Sequence, residues 1–389
     1  MIADRLKPFG TTIFSEMTAL AQKHGAINLA QGFPDFEGPR EILDAARRAM
    51  EAGENQYARS LGHPRLVAAI AQKYRALHGL EFDPMEEVIV FCGATEGIAS
   101  SLLGLLDPGD EVILFEPYYD SYPVCVALAG ATARCCTLRF PDFRLREEEL
   151  APLFGPRTRL LLLNSPHNPT GKVFTREELE LVARLCRRHD VVVVADEVYE
   201  HITFDGATAV PIASLPGMRE RTLTLSSTGK TFSLTGWKIG WGVGSRELVA
   251  AAQAAHQYVT FAVATPFQVA MAEAVARFQA DYFGKLQREY AQRRDFLVGV
   301  LREVGFDVAP PRGAYFVLAD FSRRFPKEVA GGDRAMARRL VERSGVAAIP
   351  PSAFYAAHPE EGRRLLRFAF CKKMETLERA ADRLRRMET

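Results

Sequence analysis

Short apolar runs alternate with helical patterns through the middle of the chain. Each run is four to six residues long, which is typical of strands buried on both faces of a sheet; the runs cover residues 87–91, 111–115, 158–163, 191–194 and 222–225. Helical patterns lie between several of them, and one begins at a capping box of Thr175 and Glu178 and continues toward His189. This alternation predicts an α/β fold with a mostly parallel central sheet flanked by helices.

The C-terminal part of the chain has a different pattern. A long helical pattern covers about residues 270–304 and is followed by shorter strand-like and helical segments, at residues 315–318, 334–344, 366–370 and from Glu375 onward. Strands and helices without regular βαβ order predict a smaller α+β domain. We expect the long helix to connect the two domains.

Composition narrows the class of protein without identifying it. A chain of 389 residues is long enough for two domains. The net charge is +1, and acidic residues interleave with basic ones, so no field that would recruit nucleic acid or an anionic membrane is expected. The first ten residues do not form a signal-peptide pattern, and no apolar run is long enough to span a bilayer. Six cysteines without C-x-x-C spacing disfavour a disulfide framework or a metal site and fit a reducing cytoplasm.

Polar residues follow four of the predicted strands at the point where each strand ends. Ligands bind at the carboxyl ends of strands in a parallel sheet. The loops that begin at Cys92, Asn164, Ala195 and Ser226 bring an amide, a carboxylate, a phenol, a lysine, hydroxyls and a helix N-terminus to one rim. Each group alone has an ordinary explanation as a surface lysine, a helix cap or a turn. Their conjunction predicts a binding site.

The same loops resemble the motifs of the class I pyridoxal 5′-phosphate (PLP) aminotransferases. Residues 226–240 are similar to the lysine motif of that family, and residues 168–171 and 196–199 are similar to two further motifs. Residues 31–36 and 347–350, together with Arg367 and Phe368, extend the resemblance to nearly the whole chain. The nearest branch is that of the glutamine–phenylpyruvate and kynurenine aminotransferases.

The resemblance implies the fold of the PLP-dependent transferases and three parts of the chain. Residues 1–38 would form an N-terminal segment that packs with the small domain and the substrate site. Residues 39–275 would form the large cofactor-binding domain, and residues 276–389 the small C-terminal domain.

The resemblance also assigns the catalytic groups. Lys230 would carry PLP as a Schiff base and move the proton between the substrate α-carbon and the cofactor. Asp196 would pair with the pyridine nitrogen and keep it protonated, and Asn168 and Tyr199 would hydrogen-bond the phenolic oxygen. Tyr119 stands where the family stacks an aromatic ring on the cofactor, although a core aromatic residue is an open alternative there.

The cofactor phosphate would be held by backbone donors and positive charge. Ala94 and Thr95 begin a helix whose free N–H groups suit an anion. Ser227 and Lys238 match further phosphate ligands, although many members have arginine in place of Lys238, which keeps the charge and loses the bidentate geometry. Tyr57 matches a tyrosine that reaches the phosphate from the neighbouring subunit, which implies a homodimer with shared active sites.

Five residues are expected at the substrate. Arg367 matches the arginine that binds the substrate α-carboxylate with two parallel hydrogen bonds, and Asn168 and Gly32 would lie beside the same group. Phe14 and Phe261 would form the side-chain pocket, Phe261 from the partner subunit; a core position for Phe14 is equally compatible with the sequence. Since residues 258–266 contain no Lys or Arg, the resemblance predicts neutral, bulky amino donors such as glutamine, phenylalanine, methionine or kynurenine, with 2-oxo acids as acceptors.

Other functions remain to be weighed against this one. A PLP-dependent cysteine-conjugate β-lyase would use the same lysine and arginine. A PLP-binding transcription regulator would need a DNA-binding domain, and the motifs begin by Gln31, which leaves no room for one. Gly240, Gly242 and Gly244 lack the full dinucleotide-binding fingerprint and indicate close backbone packing in a strand.

Overall fold

This computed structural model describes residues 2–277 and 280–387, and these contain twelve strands and thirteen α-helices. The strands are β1 Ile27–Asn28, β2 Val88–Cys92, β3 Glu111–Glu116, β4 Thr132–Thr137, β5 Thr158–Asn164, β6 Val192–Asp196, β7 Thr222–Ser227, β8 Ile239–Val243, β9 Asp307–Val308, β10 Phe316–Asp320, β11 Val346–Ala347 and β12 Leu365–Ala369. The helices are α1 Ile13–Lys23, α2 Arg40–Glu51, α3 Pro64–His78, α4 Gly93–Leu105, α5 Ser121–Leu128, α6 Glu147–Leu150, α7 Arg176–His189, α8 Thr228–Thr231, α9 Arg246–Val259, α10 Thr265–Arg277, α11 Ala280–Glu303, α12 Gly332–Arg339 and α13 Met374–Arg385. None of these helices is long and apolar enough to cross a membrane.

Seven strands form the central sheet in the order β2-β8-β7-β6-β5-β3-β4. Strand β8 runs antiparallel to both of its neighbours, and the other adjacent pairs are parallel. Apolar clusters cover both faces of the sheet, which explains why its inner strands are nearly continuous apolar runs. The predicted α/β architecture with a mostly parallel sheet is therefore confirmed.

The five predicted strands of this sheet are present with ends within two residues of the prediction. Two further strands, β4 and β8, were not among the apolar runs. Strand β4 lies at the edge of the sheet and is partly exposed, so it does not form an apolar run. Strand β8 contains Gly240 and Gly242 in close contact with its neighbours, as the strand interpretation of these glycines predicted. The capping box of Thr175 and Glu178 is also present at the start of α7.

The C-terminal part contains a three-stranded antiparallel sheet in the order β12-β10-β9. The predicted long helix is described as two helices, α10 and α11, on either side of residues 278–279, which lie outside the described residues. The predicted helix over residues 334–344 is α12 followed by a π-helical turn, Leu340–Ser344.

The N-terminal segment joins the C-terminal part through β1 and α1. Ile27 pairs with Val346 in a short parallel sheet, and Met17 of α1 lies in the same apolar cluster as residues of β10, β12 and α13. The division of the chain after residues 38 and 275 stays a prediction.

Candidate active site

A cavity of about 320 Å³ lies where the parallel strands of the central sheet end. The loops after β5, β6 and β7, the first turn of α4 and residues of the N- and C-terminal parts form its wall. Most residues that the sequence nominated line this cavity: Phe14, Gly32, Ala94, Thr95, Tyr119, Asn168, Asp196, Tyr199, Ser227, Lys230, Lys238 and Arg367.

Asp196 ends strand β6 and is buried with an organised set of donors. Tyr122 of α5 donates to its Oδ2 at 2.7 Å, and the Val198 amide donates to Oδ1 at 3.3 Å. The Asn164 side chain donates to the Asp196 backbone oxygen at 2.8 Å. Burial raises the pKa of the Asp196 carboxyl, while the hydrogen bonds from Tyr122 and Val198 oppose that shift. These two hydrogen bonds to the Asp196 carboxylate favour its ionised form, which can pair with a cation.

Lys230 projects from the short helix α8 toward a wall of aromatic rings. Its Nζ lies 5.8 Å from the ring centre of Tyr199 and 5.7 Å from that of Tyr315. Burial lowers the pKa of the Lys230 ammonium, and the positive charge of Lys238 lowers it further, although Asp196 opposes the shift. A lowered pKa increases the fraction of free amine, the form that attacks carbonyl carbon and accepts protons.

Asn168 and Tyr199 both line the cavity. The Asn168 backbone N–H donates to Oδ1 of Asn164 at 2.7 Å, which orients the loop after β5. Burial raises the pKa of the Tyr199 hydroxyl well above its ordinary value, so this hydroxyl is a neutral donor at neutral pH. Tyr315, next to Tyr199 with ring centres 5.0 Å apart, donates to the Gly32 backbone oxygen at 2.6 Å.

The other end of the cavity is built to receive an anion. Helix α4 begins at Gly93, and its first residues, Gly93, Ala94 and Thr95, line the cavity. The first N–H groups of a helix have no partner within the helix and suit an anion. A Cβ added to Gly240 would lie 2.8 Å from the Ala94 nitrogen, so only glycine lets β8 approach this turn. A Cβ on Gly93 would lie 3.1 Å from the Lys238 Nζ, which places that ammonium at the helix start. Backbone donors and a cation together fit a phosphate.

Ser227 completes this end of the cavity. It stands at the N-cap of α8, where its Oγ accepts a hydrogen bond from the Gly229 amide at 3.1 Å. The hydroxyl proton is then available to a second acceptor on the cavity side.

Arg367 of β12 is a buried cation that lines the cavity, with 1% of its surface exposed. Its Nη1 donates to Oδ1 of Asn168 at 3.0 Å and its Nη2 to the Ala30 backbone oxygen at 2.8 Å, and both acceptors are uncharged. Its Nε has no hydrogen-bond partner among the described residues. Burial lowers the pKa of the guanidinium to about 10. An unsatisfied buried cation of this kind is suited to a carboxylate ligand.

Aromatic rings surround the Arg367 guanidinium. Its central carbon lies 4.2 Å from the ring centre of Phe316 and 4.9 Å from that of Phe14. Phe14 also packs against Phe354, with ring centres 5.8 Å apart, and borders the apolar cluster of the C-terminal part. Phe14 therefore both packs on the core and lines the cavity, which are the two positions that the sequence left open.

Tyr57 and Phe261 do not line the cavity of this chain. Tyr57 is 81% exposed and Phe261 51% exposed, and their ring centres lie 5.1 Å apart on the surface. Their contribution to the cavity of a second subunit stays a prediction.

Several cavity residues escaped the sequence analysis. Asn164 followed an apolar run and could have been chosen by that criterion. Tyr122 and Phe316 carried no such indication, because they reach the cavity from α5 and β10 only after the elements have packed.

Both the sequence and the structure of the chain are similar to those of known proteins. The family model described as aminotransferase class I and II matches residues 24–384. The structure of N-succinyldiaminopimelate aminotransferase from Mycobacterium tuberculosis is 44% identical, covers 99% of both chains and superposes with a TM-score of 0.93. The structure of an Escherichia coli methionine aminotransferase is 40% identical, covers 100% of both chains and has a TM-score of 0.94. A kynurenine–oxoglutarate transaminase of Dictyostelium discoideum is 39% identical over 98% of this chain and 95% of the relative.

Proposed function

Because the chain belongs to the class I and II aminotransferases and therefore uses PLP, we propose that it transfers an amino group from a neutral, bulky amino acid to an aromatic or related 2-oxo acid. Glutamine, phenylalanine, methionine and kynurenine are the donors that suit the cavity. The proposal concerns the substrate, since aminotransferase activity follows from the family.

The cations of the cavity carry the substrate proposal. Among the described residues that line it, the positively charged side chains are Lys230, Lys238 and Arg367. Each has a role in the general reaction, as the cofactor lysine, a phosphate ligand and the α-carboxylate ligand, so none remains for a side-chain carboxylate. Burying an uncompensated carboxylate costs several kcal/mol. Phe14 and Phe316 offer instead apolar surface beside the α-carboxylate site.

The donor set fits PLP, and the residues that would hold it follow from their positions. The first turn of α4, Ser227 and Lys238 would hold the phosphate. Tyr119 would stack on the ring, and Asp196 would keep the ring nitrogen protonated. Asn168 and Tyr199 would hydrogen-bond the phenolic oxygen. The bound cofactor supplies an electron sink for the charge that develops at the substrate α-carbon.

Two protein groups would act on the substrate itself. Arg367 would bind the α-carboxylate through its unsatisfied Nε and an adjacent Nη, which fixes the orientation of the amino acid. Gly32, which also lines the cavity, lets its backbone pack against Phe316, since an added Cβ would lie 2.5 Å from that ring. Lys230, as a free amine, would accept the α-proton and return a proton to complete the transfer.

A homodimer with shared sites belongs to the same proposal. The exposed rings of Tyr57 and Phe261 contact each other, and Tyr258, three residues before Phe261, is 87% exposed. Exposed apolar surface of this kind marks interfaces. In such a dimer, Tyr57 would reach the partner's phosphate and Phe261 its substrate pocket. The large domain, residues 39–275, would then provide most of the cofactor site, and the small domain, residues 276–389, the α-carboxylate ligand.

A panel of amino donors tests the substrate proposal. We expect kcat/KM for aspartate to be at least about a hundredfold below that for glutamine, phenylalanine or methionine, on the order of 2.7 kcal/mol in the transition state. N-Succinyldiaminopimelate, which carries additional carboxylates, should also be poor. Aspartate or the succinylated donor performing as well as the neutral donors would contradict the proposal. A cysteine conjugate serves as a further arm, since dominant release of pyruvate and ammonia would indicate a β-lyase instead.

A further inference from the structure

A buried ion pair joins helix α3 to the loop after β6. The Lys73 Nζ of α3 lies 2.7 Å from Oε1 of Glu200, and the side chains are only 8% and 6% exposed. Ser226 of β7 donates its hydroxyl to the same Oε1 at 2.6 Å. Removing two charges from water is costly, and their mutual attraction compensates only when the geometry is good. A pair in such a position therefore invites a functional explanation.

The position of the pair along the chain links it to the cavity. Glu200 follows Tyr199, and Ser226 precedes Ser227; Tyr199 and Ser227 line the cofactor cavity. Glu200 instead lines a separate cavity of about 680 Å³. The Glu200 carboxylate thus joins the loop after β6 to the end of β7, and the adjacent residue of each segment, Tyr199 or Ser227, lines the cavity.

The charge distribution shows which carboxyl of this loop is ionised. Burial opposes ionisation of Glu200, but the charge and hydrogen bond of Lys73, together with the hydrogen bond from Ser226, lower the pKa of its carboxyl to about 2. Burial raises the pKa of the neighbouring Glu197 well above its ordinary value, and the negative charge of Glu200 adds to that shift. Glu200 is therefore the anion that matches Lys73 at neutral pH.

Lys73 extends the connection to the strand behind the phosphate site. Its Nζ lies 4.9 Å from the ring centre of Trp241 in β8, a distance at which a cation is attracted to an indole ring. Trp241 follows Gly240, the residue that packs against the first turn of α4. Helix α3, the loop after β6, and strands β7 and β8 therefore meet at this one ammonium–carboxylate contact.

We propose that Lys73 and Glu200 are positioning residues that hold Tyr199 and Ser227 in place for the phenolic oxygen and phosphate of the cofactor. The inference rests on the roles proposed above for Tyr199 and Ser227. The pair touches neither cofactor nor substrate and acts through the segments that it joins.

Three variants of the full-length holoenzyme test this role: Glu200→Gln, Lys73→Met and the double variant. Glutamine keeps an oxygen for the Ser226 hydroxyl and removes only the charge. The measurements are the dissociation constant for PLP, the pH midpoint of the visible absorbance of the lysine-bound cofactor, kcat and KM separately, and the thermal midpoint. We expect each single variant to weaken PLP binding by about tenfold, the lower end of the effect seen when a metal ligand loses its supporting partner, and to shift the absorbance midpoint.

The double variant separates positioning from simple stability. It leaves no unpaired buried charge, so its thermal midpoint should recover toward the wild-type value. Because the connection between α3 and the loop is still lost, the absorbance midpoint should remain shifted. Recovery of both properties in the double variant would overturn the proposal, as would single variants that change only the thermal midpoint. If a single variant does not fold, the double variant decides the question.

A matched control exists elsewhere in the chain. At the amino end of β3, the Glu111 side chain is only 6% exposed and accepts from Arg134 Nη1 at 3.1 Å and from Arg157 Nη2 at 2.6 Å, and none of these residues lines the cofactor cavity. Glu111→Gln should lower the thermal midpoint and leave the absorbance midpoint unchanged; an equal shift in this control would contradict the positioning role. If the wild-type protein forms no visible absorbance with PLP, the failure lies with the proposed function rather than with the ion pair.

Discussion

Replacing Tyr122 with phenylalanine removes one hydroxyl that lies against the Asp196 carboxylate. The Oη–Oδ2 distance is 2.7 Å and both groups are buried, so water cannot easily replace the lost donor. A hydrogen bond to a charged group contributes about 1.5–3 kcal/mol. If the carboxylate must be ionised in the transition state, this corresponds to a loss of about tenfold to a hundredfold in kcat/KM.

The pH dependence gives the sign of the effect. Burial already raises the pKa of the Asp196 carboxyl, and the Tyr122 hydrogen bond opposes that rise. Tyr122→Phe should therefore raise this pKa further, so the carboxyl stays protonated to a higher pH. The acid limb of the kcat/KM profile should move to higher pH, and the loss of activity should be largest at low pH.

Profiles of kcat/KM against pH for the wild type and Tyr122→Phe measure both effects. Tyr355→Phe is the matched control, because Tyr355 is also buried, does not line the cavity, and its hydroxyl has no hydrogen-bond partner among the described residues. It should leave the acid limb in place. A Tyr122→Phe enzyme within twofold of the wild type at every pH would refute the reasoning.

Three further predictions concern the cofactor lysine, the ring-nitrogen carboxylate and assembly. Lys230→Ala should abolish turnover although PLP still binds without a covalent bond, and borohydride reduction of the wild type should attach the cofactor to Lys230; attachment to another lysine would show that the assignment is wrong. Asp196→Ala should reduce transamination by several orders of magnitude, because an unprotonated ring nitrogen accepts electrons poorly, and a loss of tenfold or less, about 1.4 kcal/mol, would remove Asp196 from the mechanism. Sedimentation should show a dimer at assay concentrations, with Tyr57→Ala weakening PLP binding; a fully active monomer would contradict the shared site.

Local patterns were sufficient for the elements that bury themselves on both faces. An apolar run such as Leu160–Leu163 is buried on both faces only inside a covered sheet. The polar loop that follows it must then lie at the carboxyl ends of the strands. The Thr175 capping box likewise needs only residues of its own turn. Strand β4 escaped prediction because an edge strand is exposed on part of its surface and lacks the continuous apolar run.

The sequence by itself determined the parallel sheet, the loops at its carboxyl ends and the lysine motif, because each depends on neighbours within one turn or one strand. Tertiary structure alone brought Tyr122 to Asp196 across 74 positions and Arg367 to Asn168 across 199. It also inserted β8 between β2 and β7, where Gly240 can approach α4, and left Tyr57 on the surface. Such contacts depend on the order in which strands pair and on which helix covers each face. No local period or turn carries that information, since it is decided by the packing of the whole core.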